Sequence, residues 1–330
     1  MLKPIISVIM PCLNSASYIT EAIDSVLTQS FSDFEFIIVD AGSTDGTIDI
    51  IKSSASSDAR IVYLHSDLKS MGKQYNLGIE SAKGDYLCFI ESDDYIRSNM
   101  LERLHEAIVK HSADYVRADF TFFADTEKER VFLQHKVLDD QHASCYNIVM
   151  NDIRNPSFIF TDVQMWNGIY KKAFINDHAI RLNETAGAAF QDCGFVLQTI
   201  MFAKRAVYLD EPFYCYRQDN VASSFYSKSL HTFAVNEYLF IRKRFDECGK
   251  DAELIIPYII RRFFGMFANF VGDYLIYGKD VGLEKVIHEL IEFQRAIKSD
   301  YESIGEALLS FSGIYPPMGL EGFFTDIGQY

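Results

Sequence analysis

Three carboxylates stand together where one apolar segment ends. The stretch YLCFIESDDYI, residues 86–96, runs to Ile90 and then presents Glu91, Asp93 and Asp94 within four residues. Like charges at this spacing repel one another, most strongly where water is scarce. A divalent cation such as Mg²⁺ or Mn²⁺ prefers carboxylate and phosphate oxygens and would offset that repulsion. The stretch therefore indicates a cation held against a diphosphate; the alternative is a solvated turn with an aspartate cap on the next helix.

Before this stretch, segments with the apolar pattern of β-strands alternate with segments that have the apolar spacing of α-helices. Short, β-branched apolar runs predict strands at residues 5–10, 34–40, 60–65 and 84–91. Apolar residues at i, i+3 and i+4 predict a helix from Ile19 to Leu27, after an Asn14-Ser15 cap, and further helices around 48–51, 70–82 and 100–108. This alternation predicts an α/β fold with a mostly parallel sheet that is flanked by helices.

Polar residues collect where these predicted strands end. In parallel sheets, ligands bind beyond the carboxyl ends of the strands. The residues just past three of those ends are Pro11, Cys12 and Asn14; Asp40, Ala41 and Gly42; and Glu91, Asp93 and Asp94. We therefore expect a single site at this edge, built from three different strands.

Composition narrows the classes of partner. The net charge of −15 over 330 residues argues against nucleic-acid binding and against simple electrostatic docking on anionic lipid. The six cysteines show no CxxC spacing, and the first residues do not form a signal peptide. We expect a cytoplasmic protein with at most peripheral contact at the inner face of the membrane. The sequence contains no HExxH, GxSxG, GxxxxGK[ST] or GxGxxG motif.

Four motifs follow one another over residues 4–96: MPCLN, DAGSTDGT, NLGIESAKG and ESDD. Their order resembles the donor-binding half of glycosyltransferase family 2, which has the Rossmann-like GT-A fold. The resemblance implies an inverting, metal-dependent transferase that takes a nucleotide diphosphate sugar, most simply a UDP-sugar. It also implies a glycan, lipid-linked or glycoprotein acceptor in bacterial surface polysaccharide or glycan biosynthesis.

The resemblance assigns donor residues one by one. The residues implied to contact the nucleotide sugar are Pro11, Asn14, Asp40, Lys73, Asp93 and Arg217. The residues implied to bind Mn²⁺ or Mg²⁺ are Asp94 and Asp93. A structural ion pair is the alternative for Arg217, and a helix cap is the alternative for Asp40. Asp45 is expected to order the loop after the second strand, and Gly78 and Gly84 are expected to be structural. Two departures from the family pattern are Glu91, where Asp is usual, and Ala41, where a second acid is frequent.

The acceptor side is marked by AAFQDCGFVLQTIMFA, which resembles the family's Glu-Asp at the start of a helix. Gln191 replaces the Glu, and Asp192 is the implied general base that deprotonates an acceptor hydroxyl. The alternative for Asp192 is a first-turn aspartate favoured by the helix dipole. Trp166 is expected either to stack on a sugar or to lie in the core. Glu184 and Gln191 are further acceptor candidates.

We therefore expect a catalytic domain at residues 1–220, with the nucleotide-sugar half at 1–96 and the acceptor half at 97–220. In residues 221–330 the apolar pattern predicts helices at 231–245, 253–278 and 283–297. Three roles are open for these helices: core packing, an oligomer interface or shallow contact with a membrane. Two other functions stay open. One is a catalytically idle nucleotide-binding scaffold, and the other is a sugar nucleotidyltransferase, which the lack of Gly, Lys and Arg in MPCLNSAS disfavours.

Overall fold

The computed structural model describes residues 3–138, 140, 142–151, 164–220 and 230–248. The chain divides into two compact units, Met1–Ser224 and Phe225–Tyr330, which are described separately. The division of the catalytic domain into a donor half and an acceptor half stays a prediction.

The strands of the described residues form one nine-stranded sheet in the first unit. They are β1 Ile6–Cys12, β2 Phe34–Asp40, β3 Ile61–His65, β4 Tyr86–Phe89, β5 Tyr95–Ile96, β6 Tyr115–Asp125, β7 Arg130–His135, β8 Gly168–Lys171 and β9 Ala206–Arg217. The order is β3-β2-β1-β4-β8-β6-β9-β5, and β7 pairs with β6. The first four strands are parallel, whereas β8 lies antiparallel to both of its neighbours. The predicted α/β fold is confirmed, with a sheet that becomes mixed after β4.

Six α-helices of the described residues belong to this unit. They are α1 Ile19–Leu27, α2 Thr47–Ser57, α3 Met71–Ser81, α4 Met100–His111, α5 Lys172–Asp177 and α6 Gln191–Phe202. The predicted Asn14-Ser15 cap was wrong, because α1 begins after Tyr18 without any side-chain cap. The Asn14 Oδ1 atom instead accepts the Thr44 N–H at 2.8 Å, which joins the loops after β1 and β2.

The strand register explains why the site forms at one edge. Cys12 at the end of β1 lies opposite Asp40 at the end of β2. On the other side of β1, Phe89 at the end of β4 lies opposite Ile9. Glu91 follows Phe89 by two residues, and each residue adds the same rise along both strands of a parallel pair. Glu91 therefore lies at the level of the end of β1.

Helix α3 packs closely on this parallel part of the sheet. A Cβ atom added at Gly78 would lie 2.3 Å from Ile9 Cγ2, so only glycine lets the helix approach β1 this closely. At Gly84, which precedes β4, an added Cβ would lie 2.6 Å from the backbone nitrogen of Ser7. The structural roles expected for both glycines are confirmed.

The second unit contains helix α7, Leu230–Cys248, which confirms the predicted helix at 231–245. The predicted helices at 253–278 and 283–297 lie outside the described residues. Within the part of the chain that the structure describes, every helix is too short or too polar to cross a bilayer.

Replacing Gly84 with Ala is expected to lower the free energy of unfolding by about 2–3 kcal/mol, because backbone of β1 must move to admit the methyl group. Thermal or urea unfolding of the purified protein measures this loss. The matched control is Lys83→Ala, at an exposed neighbouring position, where we expect a change of no more than about 0.5 kcal/mol. Equal stabilities for the two variants would contradict the close approach at Gly84.

Candidate active site

The acidic loop after β4 brings three carboxylates together. One oxygen from each of Glu91, Asp93 and Asp94 lies within 4.8 Å of the others. Burial and the neighbouring charges of Asp93 and Asp192 raise the pKa of Glu91. Burial and the charges of Asp93 and Glu91 likewise raise the pKa of Asp94. Such a set of oxygen ligands fits a hard divalent cation.

Asp94 is the least accessible of the three, with an exposed fraction of 1%. Its Oδ2 accepts the Tyr214 hydroxyl at 2.7 Å, and its Oδ1 accepts the backbone N–H of Arg217 at 2.8 Å. The Tyr214 oxygen also accepts the Glu91 N–H at 2.9 Å. Tyr214 therefore fixes both ends of the acidic loop, and Glu91 and Asp93 present the more open carboxylates.

Arg217 lies in a network of ion pairs. Its guanidinium donates to Glu21 at 2.7 Å, to Asp125 at 2.8 Å and to the backbone carbonyl of Asp93 at 2.8 Å. The side chain is 3% exposed and packs against the Phe123 ring at 4.5 Å. The geometry favours the ion-pair alternative for Arg217 over direct contact with a diphosphate.

Trp166 lies in the core, with an exposed fraction of 2%. Its ring stacks on Tyr214 with centroids 4.0 Å apart and meets Phe120 edge-on at 4.9 Å. The structure therefore favours the core alternative over a sugar platform. Because Trp166 supports Tyr214, it contributes to the site indirectly.

The loops after β1 and β2 bring the predicted nucleoside residues to one place. Asp40 is fully buried, and its Oδ1 accepts the N–H groups of Gly42 at 2.8 Å and Ser43 at 3.0 Å. Its Oδ2 accepts the Ser43 hydroxyl. Asp45 accepts the N–H groups of Ala16 and Thr47, which confirms its role in ordering the loop. Contacts of Pro11, Asn14 and Asp40 with a nucleoside stay predictions.

Lys73 and Glu184, predicted on the donor and acceptor sides, form an ion pair at 3.2 Å. Asn76 of the NLGIESAKG motif reinforces this link. Its side chain donates to the Leu182 carbonyl at 2.9 Å and to Glu184 Oε1 at 3.0 Å, and it accepts the Leu182 N–H at 3.0 Å. Helix α3 is therefore tied to the loop that leads into α6.

Asp192 lies half-buried in the first turn of α6, where its Oδ1 accepts the Cys193 N–H at 2.9 Å. Gln191 beside it is fully buried and faces the preceding loop. The Gln191 Oε1 accepts the Ala189 N–H at 2.7 Å, and its Nε2 donates to Thr185. Gln191 thus orders this loop, which disfavours the predicted acceptor contact. After burial and the Asp93 charge, the Asp192 charge adds to the raised pKa of Glu91.

The sequence reasoning missed Tyr214 and Asn76 as organising residues. Tyr214 and Tyr216 alternate at the end of β9, and strand periodicity places them on one face. That alternation was the available signal for Tyr214. For Asn76 the available signal was its place as the first residue of the NLGIESAKG motif.

Comparison with known proteins agrees with this geometry. The family model described as Glycosyl transferase family 2 matches residues 7–171, which is half of the chain. The chain belongs to this family. The resemblance seen in the four motifs is confirmed.

Among curated relatives of this family 2 chain, GlyA of Streptococcus pneumoniae serotype 4 is 27% identical over 64% of the chain and 30% of its own length. EpsJ of Bacillus subtilis, named an uncharacterized glycosyltransferase, is 28% identical over 66% of the chain and 62% of its length. TuaG of Bacillus subtilis, a putative teichuronic acid biosynthesis glycosyltransferase, is 37% identical over 37% of the chain and 49% of its length. The chain thus spans less than two thirds of the length of each of these three relatives.

Solved structures share the fold. Staphylococcus aureus TarS 1–349 superposes with a TM-score of 0.66 at 22% identity, covering 89% of this chain and 81% of TarS. The mannosyltransferase PcManGT from Pyrobaculum calidifontis superposes with a TM-score of 0.53 at 12% identity, covering 99% and 85%. These likenesses establish the GT-A fold for the family 2 chain.

Replacing Arg217 with Lys is expected to lower the stability of the ligand-free protein by about 2 kcal/mol, because lysine cannot make the forked bonds to two carboxylates and a carbonyl. Thermal unfolding without ligand measures the effect. Arg103→Lys, on the surface, serves as the control with little expected change. If Arg217→Lys melted like the wild type and only bound UDP more weakly, the diphosphate contact would be the better interpretation.

Replacing Glu91 with Gln is expected to change how stability depends on pH in the presence of a chelator. The folded protein holds the Glu91 proton to higher pH than the unfolded chain, whose carboxyl titrates near 4.5. Above that pH, each unit removes up to about 1.4 kcal/mol of stability until the raised folded-state pKa is passed. The variant should therefore melt above the wild type at pH 7.5 and near it at pH 4.5.

The control for this series is Asp67→Asn, since the Asp67 side chain is fully exposed. Its melting temperature should follow that of the wild type across the same range. Parallel curves for Glu91→Gln and the wild type would show that Glu91 is not destabilised by its surroundings.

Proposed function

We propose that the chain is a metal-dependent, inverting glycosyltransferase that moves a sugar from a nucleotide diphosphate sugar, most simply a UDP-sugar, to an acceptor hydroxyl. The observation that carries this proposal is the meeting of two groups from distant segments. Phe89, two residues before Glu91, meets the Phe195 ring edge-on with centroids 5.3 Å apart. Phe195 lies one helical turn after Asp192, so the acidic loop and the first turn of α6 adjoin. A base and a cation site in such proximity suit a displacement between a diphosphate and a hydroxyl.

The solved neighbours support the donor class. TarS has been solved with UDP and with UDP-GlcNAc, and PcManGT with GDP-Man and Mn²⁺. The name of TuaG refers to teichuronic acid biosynthesis, which supports a glycan acceptor in surface polysaccharide synthesis. Lipid-linked and glycoprotein acceptors share the same nucleophile, a hydroxyl. A cytoplasmic location, peripheral membrane contact and a homo-oligomer through residues 221–330 stay predictions.

In the proposed reaction, Asp192 accepts the proton of the acceptor hydroxyl while that oxygen attacks the anomeric carbon of the sugar. The bond from this carbon to the diphosphate oxygen breaks on the opposite face, so the configuration inverts. Asp192 suits this role because it is half-buried on the first turn of a well-packed helix, with Phe195 and Val196 fully buried behind it.

The acidic loop is proposed to hold Mn²⁺ or Mg²⁺, which would neutralise charge on the departing diphosphate. Glu91 and Asp93 are the more accessible ligands, and Asp94 is buried and already accepts two hydrogen bonds. We therefore propose that Asp93 and Glu91 are the main ligands of the cation and that Asp94 is a secondary ligand. The Lys73 side chain, which pairs with Glu184 at 3.2 Å, is proposed to contact the diphosphate.

Thermal unfolding with UDP, GDP, CDP or TDP, each with and without Mn²⁺, tests the donor class. A ligand at one hundred times its dissociation constant adds about 2.7 kcal/mol. This corresponds to a rise in melting temperature of roughly 5–10 °C. We expect a rise for one nucleotide that requires Mn²⁺ and is lost in Asp93→Asn. No rise with any nucleotide would contradict the proposed donor class, whereas a rise without sugar transfer to any acceptor would favour the catalytically idle nucleotide-binding scaffold.

Replacing Asp192 with Asn is expected to reduce sugar transfer by about 10²–10⁴-fold, because the amide cannot accept the hydroxyl proton. Release of the nucleotide from the selected donor, measured with a panel of glycan acceptors, gives the rate. The Mn²⁺-dependent rise in melting temperature should persist. Asp177→Asn, on the exposed end of α5, is the control and should leave the rate unchanged. Full turnover by Asp192→Asn would remove Asp192 as the base.

A further inference from the structure

Tyr75 lies on α3 and is fully buried. Its ring meets Phe89 edge-on, with centroids 5.4 Å apart and an interplanar angle of 89°. Phe89 in turn meets Phe195 edge-on at 5.3 Å. These three rings form a layer that joins α3, the end of β4 and α6.

The Phe89 and Phe195 rings are close in sequence to the carboxylates that have proposed roles. Phe89 precedes Glu91 by two residues, and Phe195 follows Asp192 by three, which places it on the same face of the helix. These ring contacts place Tyr75 close to the segments that carry Glu91 and Asp192. The electrostatics agree, since after burial the charges of Glu91 and then Asp192 contribute most to raising the pKa of Tyr75.

The Tyr75 hydroxyl has no hydrogen-bond partner in the part of the chain that the structure describes. Buried polar groups are normally paired, so an unpaired one needs an explanation. Tyr214 makes the contrast clear, because its hydroxyl in the same region both donates to Asp94 and accepts from Glu91. A buried hydroxyl that has no acceptor and lies near a cluster of carboxylates is suited to donate a hydrogen bond to one of them when a ligand is bound.

We propose that Tyr75 is a positioning residue for the cation site: when a cation occupies the acidic loop, the Tyr75 hydroxyl donates to the Glu91 carboxylate, directly or through one water molecule. This inference rests on the proposed function for the presence of the cation. Glu91 is the chosen acceptor because it follows Phe89, the ring that Tyr75 contacts, by two residues, and because its side chain is one methylene group longer than that of an aspartate. The hydrogen bond would hold the longer side chain in a ligating position.

The decisive variant is Tyr75→Phe, which keeps the ring against Phe89 and removes only the hydroxyl. We expect Mn²⁺ affinity, measured by titration calorimetry in the presence of UDP, to fall about tenfold, which is typical of a lost hydrogen bond to a charged group. The melting temperature without Mn²⁺ should be unchanged or higher, because an unpaired polar group has been removed. A purely structural tyrosine would show no effect on Mn²⁺ affinity.

The matched control is Tyr115→Phe, which also removes a buried hydroxyl, one that lies 3.3 Å from the hydroxyl of Tyr208. Its Mn²⁺ affinity should equal that of the wild type. Equal affinity for Tyr75→Phe and the wild type would overturn the inference while leaving the proposed function intact. A wild-type protein that does not bind Mn²⁺ would instead overturn the cation site and this inference together.

A double-mutant cycle with Glu91→Asp tests the partner. The shorter side chain should no longer reach Tyr75, so adding Tyr75→Phe to Glu91→Asp should cause little further loss of Mn²⁺ affinity. Should the two losses multiply in the double variant, Tyr75 would act independently of Glu91 and the assignment would be wrong. Should Tyr75→Phe not fold, Glu91→Asp alone with an affinity equal to that of the wild type would overturn the assignment.

Discussion

Repulsion among the carboxylates after β4 is the constraint on which the rest of the site depends. Without a cation, the protein must hold Glu91, Asp93 and Asp94 together through hydrogen bonds from other segments. Tyr214 and the backbone of Arg217 supply those bonds to Asp94, and the Arg217 guanidinium holds the carbonyl of Asp93. All of these donors lie at the end of β9, more than a hundred residues further along the chain. The acidic loop therefore acquires its shape only when β9 is in place.

The mixed half of the sheet provides that placement. Strand β9 runs parallel to β6, and its far end pairs antiparallel with the short β5 that follows the acidic loop. The pairing of Tyr95 with Cys215 brings Tyr214 and Arg217 alongside the loop. The loop that leads into α6 is attached separately, through the bonds of Asn76 to Leu182 and Glu184. The acidic loop and the start of α6 are thus held on one sheet and its helix α3, although they come from distant parts of the sequence.

This arrangement explains what the sequence could and could not predict. Strands β1 to β4 and helices α1, α3 and α4 follow from periodicity, and the convergence of Asp40 and Glu91 at one edge follows from parallel pairing. Arg217 and Trp166 were harder, because an arginine in an ion-pair network and a tryptophan in the core have the same local sequence as ligand-binding residues. Their roles depend on the β5–β9 pairing and on burial, and neither leaves a pattern within a short window. The capping role given to Asn14 failed for a similar reason, since its partner Thr44 belongs to another loop.

The departure from the family motif at position 191 can be understood in terms of the same repulsion. The loop already contains Glu91, Asp93 and Asp94, and Asp192 adds a further charge nearby. A glutamate at position 191 would be fully buried beside Asp192 and would have no N–H groups to donate to the loop. Gln191 avoids this additional charge, and its amide bonds to Ala189 and Thr185 order the chain that leads to Asp192. Thus the neutral amide limits the repulsion to the carboxylates that have a proposed chemical role, and it positions the one that is proposed to accept the proton.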